Sequence, residues 1–107
     1  MTELLHLTEP ALWEAARAAG VYEGSTRGKT LAEEGFIHCS LPDQVAAVAA
    51  LVYGDHPGPL VVLVIDADLV DVPIRYESPA PGAPEYPHLY GPLKTSAVVE
   101  VRPWPAD

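Results

Sequence analysis

Three short stretches carry side chains able to do chemistry. His6-Leu7-Thr8, His38-Cys39-Ser40 and His88-Leu89-Tyr90 each place a histidine two residues before a hydroxyl. Imidazole titrates near neutrality, so it can take or give a proton in a reaction. In an extended chain, residues i and i+2 share a face. His6 and Thr8, His38 and Ser40, and His88 and Tyr90 therefore project from one side of their strands, and Leu7, Cys39 and Leu89 from the other. This spacing predicts one polar cleft with the three histidines within about 10 Å, the span of a small-molecule pocket. The competing reading makes each a core histidine bonded to backbone, as buried polar groups usually are. His6, His38 and His88 with Glu77 would also supply a catalytic zinc donor set. The chain lacks His-x-His and His-x-x-x-His spacing, however, and no metal is expected.

The elements that must position these residues follow from period and punctuation. Glu34-Gly35-Phe36-Ile37-His38-Cys39-Ser40 is the hub. Gly35 breaks what precedes it, and alternation puts Phe36, His38 and Ser40 on one face and Ile37 and Cys39 on the other. Cys39 is then a buried, inert thiol. Around His88, Pro87 fixes φ and Gly91-Pro92 closes the segment, so His88 and Tyr90 are presented on a short, stiff backbone. Residues 4–7 read as a first strand. Residues 60–65 form an unbroken apolar run, a central strand covered on both faces. Residues 72–77 alternate, with Arg75 and Glu77 on one face, and Pro73 marks an edge or a strand start. A last strand covers 97–102.

Two main helices are predicted. The first spans 9–19, with Thr8 as N-cap, Pro10 early, Leu12, Trp13 and Ala16 at helical spacing and Gly20 beyond its end. The second runs over 44–53, opened by a Ser40 cap with Asp43. Its stripe Val45, Val48, Ala49 and Val52 reads as core with no chemistry attached. Thr30 caps a single helical turn up to Glu34. His56, among Gly54, Pro57, Gly58 and Pro59, reads as a solvated turn residue. Gly24 to Thr30 looks like a phosphate loop but is one residue short of the G-x-x-x-x-G-K-[ST] pattern and lacks room for the following helix. It reads as a polar loop in which Arg27 and Lys29 could touch a ligand phosphate. Residues 79–84, rich in Pro and Ala, read as an irregular, mobile flap beside the cleft.

Length and charge bound the partners. The 107 residues make one domain, 1–107, and 49% hydrophobic content is enough for a core. Fifteen Asp and Glu against six Lys and Arg give a net charge of −9. Nucleic acids and anionic membranes attract basic faces, so neither is an expected partner. The single cysteine allows no intrachain disulfide, which suits a reducing cytoplasm. The N-terminus shows no basic segment followed by a long apolar one, so no signal peptide is expected. The sequence leaves oligomeric state open.

Several pieces, in order along nearly the whole chain, resemble a known family. They are the stretch from Trp13 to Gly20, Gly35-Phe36-Ile37-His38-Cys39-Ser40, Gln44-Val45, Ile65-Asp66, Tyr76-Glu77 and Pro87-His88-Leu89-Tyr90-Gly91-Pro92-Leu93. Together they are similar to the bacterial family called domain of unknown function 952. The resemblance implies an α+β fold like that of ADP-ribosylating enzymes, with two small, mostly antiparallel sheets around a cleft and two main helices. In those transferases the cleft holds NAD. His6-Leu7-Thr8 matches a first strand that contacts ribose, and His38-Cys39-Ser40 matches a serine-containing strand. Glu77 is the acidic residue with a family match. Leu41 stands where family members often have a second hydroxyl, and Pro79-Ala80-Pro81-Gly82 replaces an Arg-Gly-Gly segment.

Two functions compete on this reading. One is a transferase or hydrolase acting on NAD or an ADP-ribose-like ligand. His6, Thr8, Ser40 and Tyr90 would hold the ligand, His38 or His88 would be general acid or base, and Glu77 would stabilise developing positive charge. The other is a non-catalytic module that binds a nucleotide-like small molecule in the same cleft.

Overall fold

An apolar run builds the centre of the molecule, because a strand buried on both faces needs side chains that lose nothing on leaving water. In chain order the elements are β1 (Glu3–Thr8), α1 (Pro10–Ala19), β2 (Val21–Tyr22), β3 (Gly24–Thr26), β4 (Lys29–Thr30), α2 (Leu31–Glu34), β5 (Ile37–His38), α3 (Val45–Tyr53), β6 (Leu60–Asp66), β7 (Ile74–Glu77), β8 (Tyr86–Leu89), β9 (Leu93–Lys94) and β10 (Val98–Trp104). Single 3-10 turns cover Ala67–Leu69 and Thr95–Ala97. The computed structural model describes residues 2–105. Among them no helix is long and apolar enough to cross a membrane.

Over the described residues the fold is α+β, with three helices and several small antiparallel sheets. The first main sheet has the order β1–β6–β10 and is antiparallel throughout. Leu4, Leu63 and Ile65 face α1 and pack with Trp13 and Ala16. Leu5, Leu7, Val62 and Val64 face the other way, onto Val45, Ala49 and Tyr53 of α3. The second main sheet has the order β5–β8–β7. Ile37 pairs with Leu89, and His38 with His88. Arg75 lies across from His88 on the other side, and Glu77 across from Tyr86. Period 2 thus gives one face carrying Ile37, Ile74 and Leu89, which joins the α1-side core. The opposite face carries His38, Arg75, Glu77 and His88.

The two main sheets meet at one backbone seam. Leu5 and Ser40 exchange both N–H···O bonds, each 2.7 Å, as an isolated antiparallel bridge. The Cys39 N–H donates to the Pro87 carbonyl at 3.0 Å, so the strand through Cys39 leans on β8 just before it reaches β1.

Where local structure departs from expectation, tertiary hydrogen bonds explain it. Helix α1 starts one residue late, with Glu9 as N-cap and no side-chain cap, because the Thr8 hydroxyl is bonded to Tyr22. Helix α3 starts at Val45, not under a Ser40 cap, because Ser40 is held in the seam; Gln44 Oε1 accepts from the Leu41 N–H at 2.9 Å in the intervening turn. The loop at 24–30 is a small hairpin, β3 against β4, turning at Gly28 in the left-handed region (φ 72°). Thr30 caps α2 as expected, in a reciprocal box with Glu33. Gly20 and Gly35 terminate α1 and α2 at φ 84° and 88°.

Candidate functional site

A cavity of about 510 Å³ opens between the two main sheets and α3, and His6, His38 and His88 are all among its lining residues. They do not play equal parts in it. The central unit is His88. Its Nδ1–H donates to Glu77 Oε1 at 2.8 Å, and the Tyr90 hydroxyl donates to the same oxygen. Two donors on one oxygen hold the Glu77 carboxyl below its ordinary range, with Tyr90 the larger cause and His88 the next. In turn the Glu77 carboxylate pushes the Tyr90 phenol up. The His88 ring is stacked on Phe36, with centroids 4.2 Å apart and planes at 25°. Its Nε2 has no hydrogen-bond partner among the described residues, yet it is not a buried orphan. The Arg75 guanidinium lies over the Tyr90 ring at 4.8 Å, on the rim.

Across the β5–β8 pair sits His38, half-buried, its ring 5.1 Å from that of His88 and nearly perpendicular to it. Its Nε2 is 3.4 Å from Glu34 Oε1. Burial lowers its pKa; the Glu34 hydrogen bond opposes that, and the neighbouring His88 reinforces it. Burial thus favours the neutral His38 ring.

His6 has a different environment. It is 3% exposed, and both ring nitrogens are engaged. Nδ1 faces the His38 carbonyl, which can only accept, so Nδ1 carries the proton. Nε2 lies 2.8 Å from the Tyr22 hydroxyl, which is also 2.8 Å from Thr8 Oγ1. Burial drives the His6 pKa down to about 4, so the ring is neutral at pH 7 and Nε2 accepts. The one Tyr22 proton then goes to His6, and the Thr8 hydroxyl donates to Tyr22. His6, Tyr22 and Thr8 thus form a closed chain that supports the backbone beneath His38. His6 and Thr8 spend their polar atoms on the protein itself.

Ser40 is 4% exposed and lines the cavity, its hydroxyl without a hydrogen bond among the described residues. Cys39 is buried, and burial pushes its thiol up to about 12. His56 is not solvated as its turn setting suggested: Nδ1 bonds to Gly58, and the ring packs edge-on to Tyr53 at 5.6 Å. Arg27, a candidate phosphate contact, is held to Asp55 at 2.6 Å and to the Val52 carbonyl. The segment 79–84 is irregular, as expected, and Ser78 and Pro79 at its start line the cavity. No group of three or more His, Cys, Asp or Glu among the described residues is disposed to hold a metal ion.

Several residues of the site were not singled out from sequence. Phe36 shares strand parity with His38, and that parity was the available signal for its contact with His88. Arg75 shares parity with Glu77 in the same way. Tyr22 gave no signal, since it reaches His6 and Thr8 from a two-residue strand. Val48 and Val52, assigned wholly to the core, also line the cavity.

Fold and site define a small α+β protein with a histidine- and carboxylate-bearing cleft. Residues 7–101 match the family model described as Protein of unknown function (DUF952), and the chain belongs to that family. It is similar to protein CC0527 from Caulobacter crescentus. The crystal structure of CC0527 is 32% identical, covers 95% of this chain and 85% of its own, and superposes with a TM-score of 0.78. The same figures hold for the crystal structure of a double mutant of CC0527. The solution structure of CC0527 is 33% identical, with coverage of 94% and 83% and a TM-score of 0.72. No curated protein matches the chain.

Proposed function

We propose that the cleft is the active site of a small-molecule hydrolase or transferase in which Glu77 and His88 form the acid–base unit. The observation that carries this is the 2.8 Å bond from His88 Nδ1–H to Glu77. A carboxylate on Nδ1 fixes the tautomer and leaves a lone pair on Nε2. That nitrogen takes a proton from water or an acceptor hydroxyl and returns it to the leaving group. Phe36 limits the ring's rotation, and Tyr90 keeps Glu77 ionised. His38, adjacent to it, serves as the second proton carrier. The Ser40 hydroxyl is available to a ligand.

The family resemblance alone points to NAD or an ADP-ribose-like molecule, a ligand whose charge the lining does not complement. The ADP-ribosylation-like reading of the fold is supported by two small antiparallel sheets meeting around one cavity. Aromatic faces at Phe36, Tyr86 and Tyr90 suit a base. The cavity lining has no Lys or Arg among the described residues, so a diphosphate would have to be met at the rim by Arg75. A thermal-shift screen with NAD, ADP-ribose and nucleotides, followed by product analysis on wild type and His88→Gln, tests the assignment. Turnover undiminished in His88→Gln would overturn it.

A non-catalytic binding module is the second reading. It is favoured by the lack of an activated nucleophile among the described residues: Cys39 is buried with a raised pKa, and the Ser40 hydroxyl has no hydrogen-bonded base. Saturable binding without any product would select it.

A further inference from the structure

The cavity has two unlike walls. One carries Glu77, His88 and His38; the other is formed by Val48, Leu51 and Val52 of α3 with Leu5 and Leu7 of β1. Helix α3 reads Val-Ala-Ala-Val-Ala-Ala-Leu-Val-Tyr and has no charged side chain on any face. A helix at the surface normally turns a polar face outward. Here Val45, Ala49 and Tyr53, at i, i+4 and i+8, already seal the core. Val48, Leu51 and Val52 form a second apolar stripe, and Leu51 is 85% exposed at the cavity mouth. Among the described residues the only charged one in the lining is Glu77, in a chain of net charge −9. Such a cavity disfavours anions and rewards apolar surface.

We propose that the site takes an uncharged substrate with an apolar alkyl or aryl part, which lies against Val48, Leu51 and Val52 while the reacting group sits at His88. This substrate class rests on the acid–base reading of Glu77 and His88. It makes α3 the specificity wall of the cleft and Leu51 its outermost contact.

The test is an NMR titration with methyl butanoate, methyl hexanoate and methyl octanoate, and with ADP-ribose as the anionic arm. The expected result is a Kd that tightens roughly two- to fourfold per added methylene, with ADP-ribose weaker than the octanoate ester. Leu51→Asp, at an exposed position that the fold does not depend on, flattens that dependence; Leu51→Ala reduces it. His88→Gln leaves the dependence intact, so a failure of the acid–base reading appears in turnover and a failure of this proposal appears in the chain-length series. Affinity independent of chain length, or ADP-ribose binding more tightly than the octanoate ester, overturns the proposal. Self-association in sedimentation that Leu51→Asp abolishes, with no chain-length dependence, gives the wall to a second copy of the chain and also overturns it.

Discussion

His38 and His88 face each other across β5 and β8 with ring centroids 5.1 Å apart, and each leans on a different glutamate, Glu34 and Glu77 respectively. Two imidazoles this close resist carrying charge together. Glu34 is the group that raises the His38 pKa against burial. In Glu34→Gln the His38 titration, followed by imidazole NMR, is expected to move to lower pH. An unchanged midpoint would show that the 3.4 Å contact has no electrostatic weight in solution.

His88 is the residue whose loss separates chemistry from architecture. His88→Gln keeps a donor near Glu77 but removes the imidazole. Once a substrate is found, turnover is expected to fall by about 10²–10⁴-fold, the usual worth of a general base, with little change in Tm. A clearly destabilised variant with unchanged ligand affinity would instead make His88 a structural residue.

His6 makes stability depend on pH. Its pKa is about 4 in the folded protein against 6.5 for the ordinary group. Between those values the unfolded chain binds the proton and the folded chain does not. Stability therefore falls as pH drops from about 6.5 towards 4, by on the order of 3 kcal/mol, and the effect levels off below 4. Urea melts across pH 4–7 on wild type and His6→Gln should differ by this slope; parallel curves would refute the assignment.

Tyr22 completes the buried chain. Tyr22→Phe keeps the packing but leaves His6 Nε2 and the Thr8 hydroxyl without their shared partner. The expected cost is roughly 1–3 kcal/mol, read as a Tm loss of about 4–8 °C per kcal/mol. A Tm equal to wild type would mean that the phenol contributes no net hydrogen bonding.

Cys39 should resist labelling. It is buried and its thiol is pushed up to about 12, so almost none is thiolate at neutral pH. A thiol reagent is expected to react only on unfolding, at a rate that follows denaturant. Rapid modification under native conditions would contradict this.

Much of this was legible because strands alternate. Parity alone grouped His38 with Ser40 and Phe36, grouped Glu77 with Arg75, and sent Ile37 and Cys39 to the core. Parity says nothing of which face meets which sheet. His6 has the same His-x-hydroxyl spacing as His38 and His88, yet its side of β1 packs towards α1, where Tyr22 meets it. Helix starts went astray for a related reason. Thr8 and Ser40 are good caps by residue type, but a distant side chain claims the Thr8 hydroxyl and a distant strand claims the Ser40 backbone, and local spacing registers neither bond. The α3 stripe misled in the opposite sense, since a wall of a cavity and a wall of a core are written in the same apolar residues.

The seam between Leu5 and Ser40 is made of main-chain atoms alone. The Leu5–Ser40 bridge is therefore indifferent to the identity of the side chains at those positions, while both side chains line the cavity. Frame and lining are separable at this point. A descendant sequence could exchange Leu5 for another residue of similar volume, or Ser40 for another small one, and change what the cleft receives without resetting how the sheets are joined. The seam is a place where this scaffold can acquire new specificity at little structural risk.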